Sequence, residues 1–346
     1  MNEEFRISFL IIHSDNRTSK IQNLKWVAIL TLLVLSVGRV EVAQAQQAKL
    51  ERIGVIYLGE VFATVVDGLR AGLKELGVQE GKQVTLDIQD LRGDAKAAAS
   101  VAEKFEQDKV KLIFTNTSPV TDAVMKATKN TPIIFTVGTD PIGLGYIKSF
   151  AQPGGRLTGI QYLARDLTGK RLEILKECLP KLRQVIVFYD ADNSVSAEGA
   201  KLARAEAQRV KIKLVERQVK SINELNAALD ALKVGEFDAY LYMPDAMVVS
   251  QSQRVVDVAR TKKLPTMFHD QVVVARGGLA SYGQSYYEIG WRAAKYVQHV
   301  LAGKPPAELR VETIEDVELA FNLTTAKQIG VTIPPNVLAR AKKVIR

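Results

Sequence analysis

The residues of this chain with chemical potential gather at the ends of apolar runs. Residues 111–115 form one such run and empty into Thr115-Asn116-Thr117-Ser118. A second run ends near residue 136 in Thr136-Val137-Gly138-Thr139-Asp140. The segment between them reads as a helix, with Ser118 predicted as its N-cap and Pro119 at the first helical position. In a parallel sheet, ligands sit beyond the carboxyl ends of the strands. Asn116, Thr117, Ser118, Gly138, Thr139 and Asp140 are therefore expected to offer hydroxyls and free backbone N–H groups to a small anion such as a carboxylate. Polar strand ends recur later: Tyr189-Asp190-Ala191-Asp192-Asn193, then Met243-Pro244-Asp245, then His269-Asp270. There Asp245 or Asp190 could meet an ammonium, while helix capping is the alternative use of Asn193 and Asp245. Phe62 and Tyr189 could stack on an aromatic or apolar ligand, or fill the core. Glu60 suggests a ligand with a positive group, with an exposed surface role as its alternative. His269 reads as a strand-end hydrogen bonder, and Tyr282 as a cleft residue or as packing under a hinge.

Several chemistries are excluded on the same residues. The chain has one cysteine, Cys178, and three histidines far apart, so no cluster has metal-ligand spacing. No metal and no cofactor are expected. After the first apolar run, Gly59-Glu60-Val61-Phe62-Ala63-Thr64 carries one glycine in place of G-x-G-x-x-G, and no Walker-type loop occurs. No nucleophile–base pair stands out, so no enzymatic activity is expected. The net charge of +9 is spread over many helices, with no basic run or aromatic platform, which argues against nucleic acid as a partner.

The elements that must position these groups follow from periodicity. Residues 52–58 and 84–91 read as strands; 61–76 and 94–107 read as helices, the first ended by Gly77 and the second capped by Asp94. The alternation then repeats, with strands at 185–189, 213–218, 239–243 and 266–268 between helices at 168–179, 194–210, 222–232 and 248–261. A long helix at 286–301 follows. Strand–helix alternation at this spacing means parallel α/β sheets. The turn-rich 150–156 and 277–283 are expected to lead into crossings between two lobes. The expected fold is therefore α/β: two Rossmann-like parallel-sheet lobes joined by a hinge, a clamshell closing on a small molecule. The first lobe is expected to hold 52–158 plus about 284–304, and the second 159–283 plus about 305–346.

The N-terminus carries a twelve-residue apolar run, Trp26 to Val37, preceded by Lys20 and Lys25 and followed by Ala43-Gln44-Ala45. This pattern predicts a cleavable secretory signal peptide over residues 1–45, too short for a comfortable membrane span. An uncleaved anchor is the alternative. The mature protein is thus expected in the periplasm, as a monomer.

The chain also resembles a known family, the ABC-transporter substrate-binding proteins of the tryptophan/tyrosine type, which share the type I periplasmic-binding fold. The motifs are Gly68-Leu69-Arg70-Ala71-Gly72-Leu73-Lys74-Glu75-Leu76-Gly77, Gly138-Thr139-Asp140-Pro141-Ile142-Gly143-Leu144-Gly145 and Gln152-Pro153-Gly154-Gly155. Gly169-Lys170-Arg171-Leu172-Glu173, Gly277 to Gly283 and Asn322 to Pro335 continue the likeness in order. The resemblance implies a solute receptor that delivers an amino acid or related carboxylate to an ABC permease in the inner membrane. A sensor of the same fold, signalling to a membrane partner, is the alternative. Glu60, Phe62, Asp190 and Asp192 depart from the family's usual loops, so they bear on ligand choice.

Overall fold

The runs Leu112–Asn116 and Ile133–Val137 are buried at every residue. A strand achieves this only inside a sheet covered on both faces, which is the habit of parallel sheets. The protein, described here by a computed structural model over residues 50–346, has two such sheets.

The first sheet contains β1 (Glu51–Tyr57), β2 (Val84–Asp90), β3 (Leu112–Asn116), β4 (Ile133–Val137), β5 (Leu157–Tyr162) and β11 (Glu312–Ile314). Its order is β11-β5-β4-β3-β1-β2, and every pairing is parallel. The second contains β6 (Gln184–Tyr189), β7 (Lys213–Gln218), β8 (Ala239–Leu241), β9 (Thr266–Phe268), β10 (Ala280–Gly283), β12 (Glu318–Asn322) and β13 (Lys343–Ile345). Its order is β13-β12-β10-β9-β8-β6-β7, with β10 and β12 antiparallel. The α/β clamshell expected from the sequence is the fold observed. Each lobe repeats one winding: β2-β1-β3-β4-β5 in the first and β7-β6-β8-β9-β10 in the second.

The lobe boundaries differ from the sequence expectation. β5 lies wholly in the first sheet, so the first crossing follows Tyr162 and not residue 158. Residues 305–314 stay with the first lobe, because β11 pairs with β5. The return crossing follows β10, and a third crossing at 315–317 leads into β12. The short edge strands β11 and β13 have no apolar period of their own, and their register comes from the neighbours they join. The helix expected over 248–261 is two, Ala246–Ser250 and Ser252–Thr261, broken at Gln251. The predicted signal segment 1–45 lies outside the described residues; among the described residues no helix is long and apolar enough to cross a membrane.

Two helices of the first lobe cross with backbones in contact: α1 (Glu60–Glu75) and α10 (Tyr286–Leu301). A Cβ on Gly68 would stand 1.9 Å from the Tyr287 carbonyl oxygen, and one on Gly290 would stand 1.8 Å from the Val65 oxygen. Only glycine allows this approach. The entry to β4 is held by Glu106, near the end of α2 (Ala98–Gln107). Its carboxylate accepts the amides of Lys129, Asn130 and Thr131 and the Thr131 hydroxyl. Burial alone would raise this carboxyl, but the amides of Asn130, Thr131 and Lys129 hold it down to about 2.

Two outcomes are expected. Gly290→Ala should lower unfolding free energy by about 1–3 kcal/mol, from overpacking; unchanged urea denaturation would show that the two helices can part without cost. Glu106 has a folded pKa below its unfolded value, so its contribution is present above about pH 4.3 and lost as pH falls towards 2. Glu106→Gln should therefore flatten the acid side of a melting-temperature profile in that window, while an unchanged slope would remove Glu106 from the account.

Candidate functional site

In a doubly wound sheet, the loops after the two strands flanking the change of winding direction diverge and leave a crevice. In the first lobe these strands are β1 and β3, and in the second β6 and β8. The two crevices face each other here, and the cavities between the lobes sit on them.

The larger, outer cavity has a volume of about 370 Å³. Leu58 follows β1, and Ser118 and Pro119 open helix α3 (Ser118–Ala127) after β3. From the second lobe come Asp190, Asp192 and Asn193 after β6, and Asp245 to Met247 after β8. A smaller inner cavity of about 30 Å³ adjoins it through shared walls at Ser118, Asn193 and Asp245. Its lining is strongly aromatic: Phe62, Tyr162, Tyr242 and Tyr286, with Thr117 and Gly138 beside them. Phe62 and Tyr286 have ring centroids 5.2 Å apart, and Tyr162 meets Tyr286 edge-on at 5.8 Å. Aromatic rings in these arrangements form a rigid apolar wall.

The first-lobe wall is fixed in advance. Thr117, and not Ser118, occupies the cap position of α3, with φ 75°. A β-branched residue in this region costs about 1–3 kcal/mol and persists where its surroundings impose it. Here the Thr117 amide donates to the Thr136 carbonyl at 3.0 Å, and its own carbonyl accepts the Thr121 amide and hydroxyl. The Tyr146 hydroxyl donates to the Ser118 carbonyl at 2.9 Å. The Thr117 hydroxyl, on a residue only 4% exposed, has no protein partner.

On the second lobe, Asp245 is the organising group. It is 1% exposed and accepts the Ser196 hydroxyl at 2.7 Å, the Asp190 amide at 3.0 Å and the Val248 amide at 3.0 Å. Burial raises its carboxyl, and these donors pull it back. Its oxygens are committed to joining the loops after β6 and β8, so it shapes the wall. Asn193 caps helix α5 (Ser194–Arg209) through the Val195 amide and lines both cavities.

Of the residues singled out in the sequence, Phe62, Thr117, Ser118, Gly138, Asp190, Asp192, Asn193 and Asp245 line the cavities. The others do not. Glu60 is solvent-exposed and pairs with Arg276 of the second lobe at 3.2 Å. Asn116 is buried in the sheet, donating to the Thr136 hydroxyl at 2.9 Å. Thr139 is buried within the loop after β4. The Asp140 carboxylate accepts the Ile142 amide within its own turn. Tyr189 points into the second-lobe core and donates to Glu216 at 2.5 Å, so it cannot stack on a ligand. Tyr282 packs against the same core. His269 is buried behind the inner cavity between Tyr242 and Tyr286, at ring distances of 4.3 and 5.0 Å. Burial and then Arg171 hold it well below the usual histidine range, so it is neutral.

The sequence reading missed Tyr162, Tyr242 and Tyr286. Tyr162 ends β5 and Tyr286 opens α10, each beside a crossing, while Tyr242 follows β8 just before Pro244, so aromatics flanking the Gly-rich and Pro-containing turns were the available signal. Among the described residues no group of three or more His, Cys, Asp or Glu side chains could hold a metal ion.

A family model described as ABC transporter substrate binding protein matches residues 52–345. The chain belongs to this family. It is 32% identical over 264 residues to a tyrosine-binding protein of Clostridioides difficile, covering 76% of this chain and 75% of that one. A conserved domain protein from Vibrio cholerae has the same architecture, with a TM-score of 0.78 and 31% identity over 86% of this chain and all of that one. An ABC domain from Streptococcus pneumonia in complex with L-Trp superposes with a TM-score of 0.76 and 25% identity, again over 86% of this chain and all of that one. The ligand-free, open structure of a substrate-binding protein from Clostridium difficile gives 0.58 at 28% identity over 86% of this chain and 99% of that one.

Because Asp245 accepts the Ser196 hydroxyl and the Asp190 and Val248 amides, Asp245→Ala leaves these donors unpaired and removes a helix cap. A loss of about 2–3 kcal/mol in unfolding free energy is expected, measured by urea denaturation of the unliganded protein. A change below about 0.5 kcal/mol would make Asp245 dispensable to the wall.

Proposed function

We propose that this protein is the extracytoplasmic receptor of an ABC importer, binding an amino acid between its lobes and presenting it to a membrane permease without transforming it. The observation that carries the reading is the pair of adjoining cavities at the facing switch points. An aromatic inner end adjoins the N-terminus of α3, where free amides and the Thr117 and Ser118 hydroxyls suit a carboxylate. The aromatic wall favours tyrosine, tryptophan or phenylalanine as the cargo, in line with the relatives named for L-Trp and tyrosine. The closer superposition on the ligand-bound neighbour than on the open one supports a closed arrangement of the lobes. The predicted export signal supports a periplasmic location, with the permease as membrane partner.

A thermal-shift screen of the mature chain against the twenty amino acids tests the cargo. A ligand at 100 times its Kd stabilises by about 2.7 kcal/mol, a rise of several degrees in Tm. An aromatic amino acid is expected to give the largest rise. If the aromatic and branched amino acids all leave Tm unmoved, the amino-acid reading fails.

A further inference from the structure

The cleft lies at the carboxyl ends of the strands, so the far end of each lobe is built from the loops that lead into them. In the second lobe β6, β7, β8 and β9 run parallel, and their four entry loops share one face. Backbone bonds hold these loops side by side. The Lys213 amide donates to the Arg183 carbonyl at 2.7 Å, the Asp238 amide to the Gln184 carbonyl at 3.0 Å, and the Tyr240 amide to the Pro265 carbonyl at 2.8 Å. Every one of the loops carries an exposed cation. Lys181 and Arg183 lead into β6, Lys211 and Lys213 into β7, Lys233 into β8 and Lys263 into β9. None of them forms an ion pair among the described residues, and the carboxylates in the same loops are committed elsewhere. Glu236 pairs with Arg217 at 3.1 Å, and Asp238 accepts the amides of Arg183 and Gln184 at 2.8 and 2.9 Å. The same end of the first lobe is better neutralised: Arg52 pairs there with Asp87 and Asp108, and Lys111 with Glu51.

A second feature coincides with this charge. Val234, between Lys233 and Gly235, is 68% exposed, the most exposed large apolar side chain among the described residues. Lys211 and Lys263 stand at φ 55° and 54°, in the left-handed region that favours glycine or asparagine. A lysine just past a helix C-terminus complements the helix dipole, which accounts for either of these singly. It does not account for Arg183 and Lys213, which lie on the strand side of their loops, or for a bare valine on the same face.

We propose that the far end of the second lobe docks on an anionic lipid surface, its cations against the headgroups and Val234 at their boundary with the acyl chains. The cations come from four loops spread across the sheet, so they form a broad cap and not a linear track. A plane of negative headgroups matches a cap, whereas a nucleic-acid strand calls for a track with aromatic platforms. Each cation brought to such a surface raises partitioning about fivefold, and the attraction fades within about 10 Å at 0.1 M salt. Docking by this end keeps the receptor at the membrane and leaves the cleft, at the opposite ends of the strands, uncovered. This goes beyond the importer reading and is independent of which cargo the cleft takes.

Vesicle flotation of the mature chain, which lacks the apolar run from Trp26 to Val37, tests it. Vesicles of phosphatidylcholine with about a third phosphatidylglycerol are expected to bind the protein at low salt and release it as salt rises, while pure phosphatidylcholine leaves it in solution. Lys181→Gln, Lys211→Gln and Lys213→Gln together should weaken binding about a hundredfold, and Val234→Ser alone about threefold. Lys82→Gln, Lys109→Gln and Lys129→Gln together remove the same charge from the far end of the first lobe and should leave binding within about twofold. All these side chains are exposed, so Tm should hold within about 2 °C in each variant. Absence of binding to the anionic vesicles would overturn the proposal. An equal loss in the first-lobe variant would also overturn it, by reducing the effect to net charge. A single-stranded oligonucleotide that binds more tightly than the vesicles, and weakens with the same second-lobe lysines, would assign the face to nucleic acid and overturn the lipid. No cargo enters the assay, so a negative result leaves the importer reading standing.

Discussion

The structure depends on one buried cation. Arg171 is 1% exposed, and no carboxylate pairs with it among the described residues. Its Nε donates to the Tyr282 carbonyl and its Nη1 to the Ala164 carbonyl, both at 2.7 Å, while the guanidinium lies 5.0 Å from the centre of the Tyr242 ring. Ala164 follows the first crossing between the lobes, and Tyr282 precedes the second. One planar group therefore ties together Ala164, 7 residues before it, and Tyr282, 111 residues after it. Burial lowers its pKa, but an arginine remains charged, and carbonyl dipoles with an aromatic face replace the water it has lost. Gln284 extends the tie by donating to the Ile314 carbonyl at 3.1 Å, which joins the second crossing to the strand before the third.

The aromatic wall of the cleft is continuous with this hinge. Tyr242 lies under Arg171 and against His269; His269 touches Tyr286, and Tyr286 touches both Phe62 and Tyr162. The Asp270 carboxylate, raised to about 6 by burial, accepts the Tyr286 amide at 2.8 Å and so reaches from the second lobe to the helix that begins the return into the first. The rings that line the inner cavity therefore pack directly on the groups that join the two lobes.

Much of the fold was legible because parallel strands buried on both faces appear as short apolar runs, and the helices between them keep a clear period. The polar residues crowding the strand ends also pointed to the crevices where the two cavities lie. What escaped notice depends on contacts distant in sequence. Arg171 sits in an ordinary amphipathic helix start, and its carbonyl partners are identifiable only once the crossings have been placed. Tyr189 and Asp190 are neighbours, yet the alternation of a strand sends the first into the core against Glu216 and leaves the second facing the cavity. Asp245 carried both of its expected uses in the sequence, and the three donors converging on it decide between them. β11 and β13 take their place from pairing partners more than from their own residues.

The glycine crossing of α1 and α10 bears on how such a receptor can change its diet. With backbone packed on backbone at Gly68 and Gly290, the helix carrying Tyr286 can neither slide nor rotate, and α1 carries Phe62 under the same constraint. Half of the aromatic wall is thus locked to the scaffold. The opposite wall is built from the short loops after β6 and β8, where a change of residue alters shape and charge without disturbing that crossing. The first lobe is the fixed jaw of the clamp, and the second carries the adjustable one.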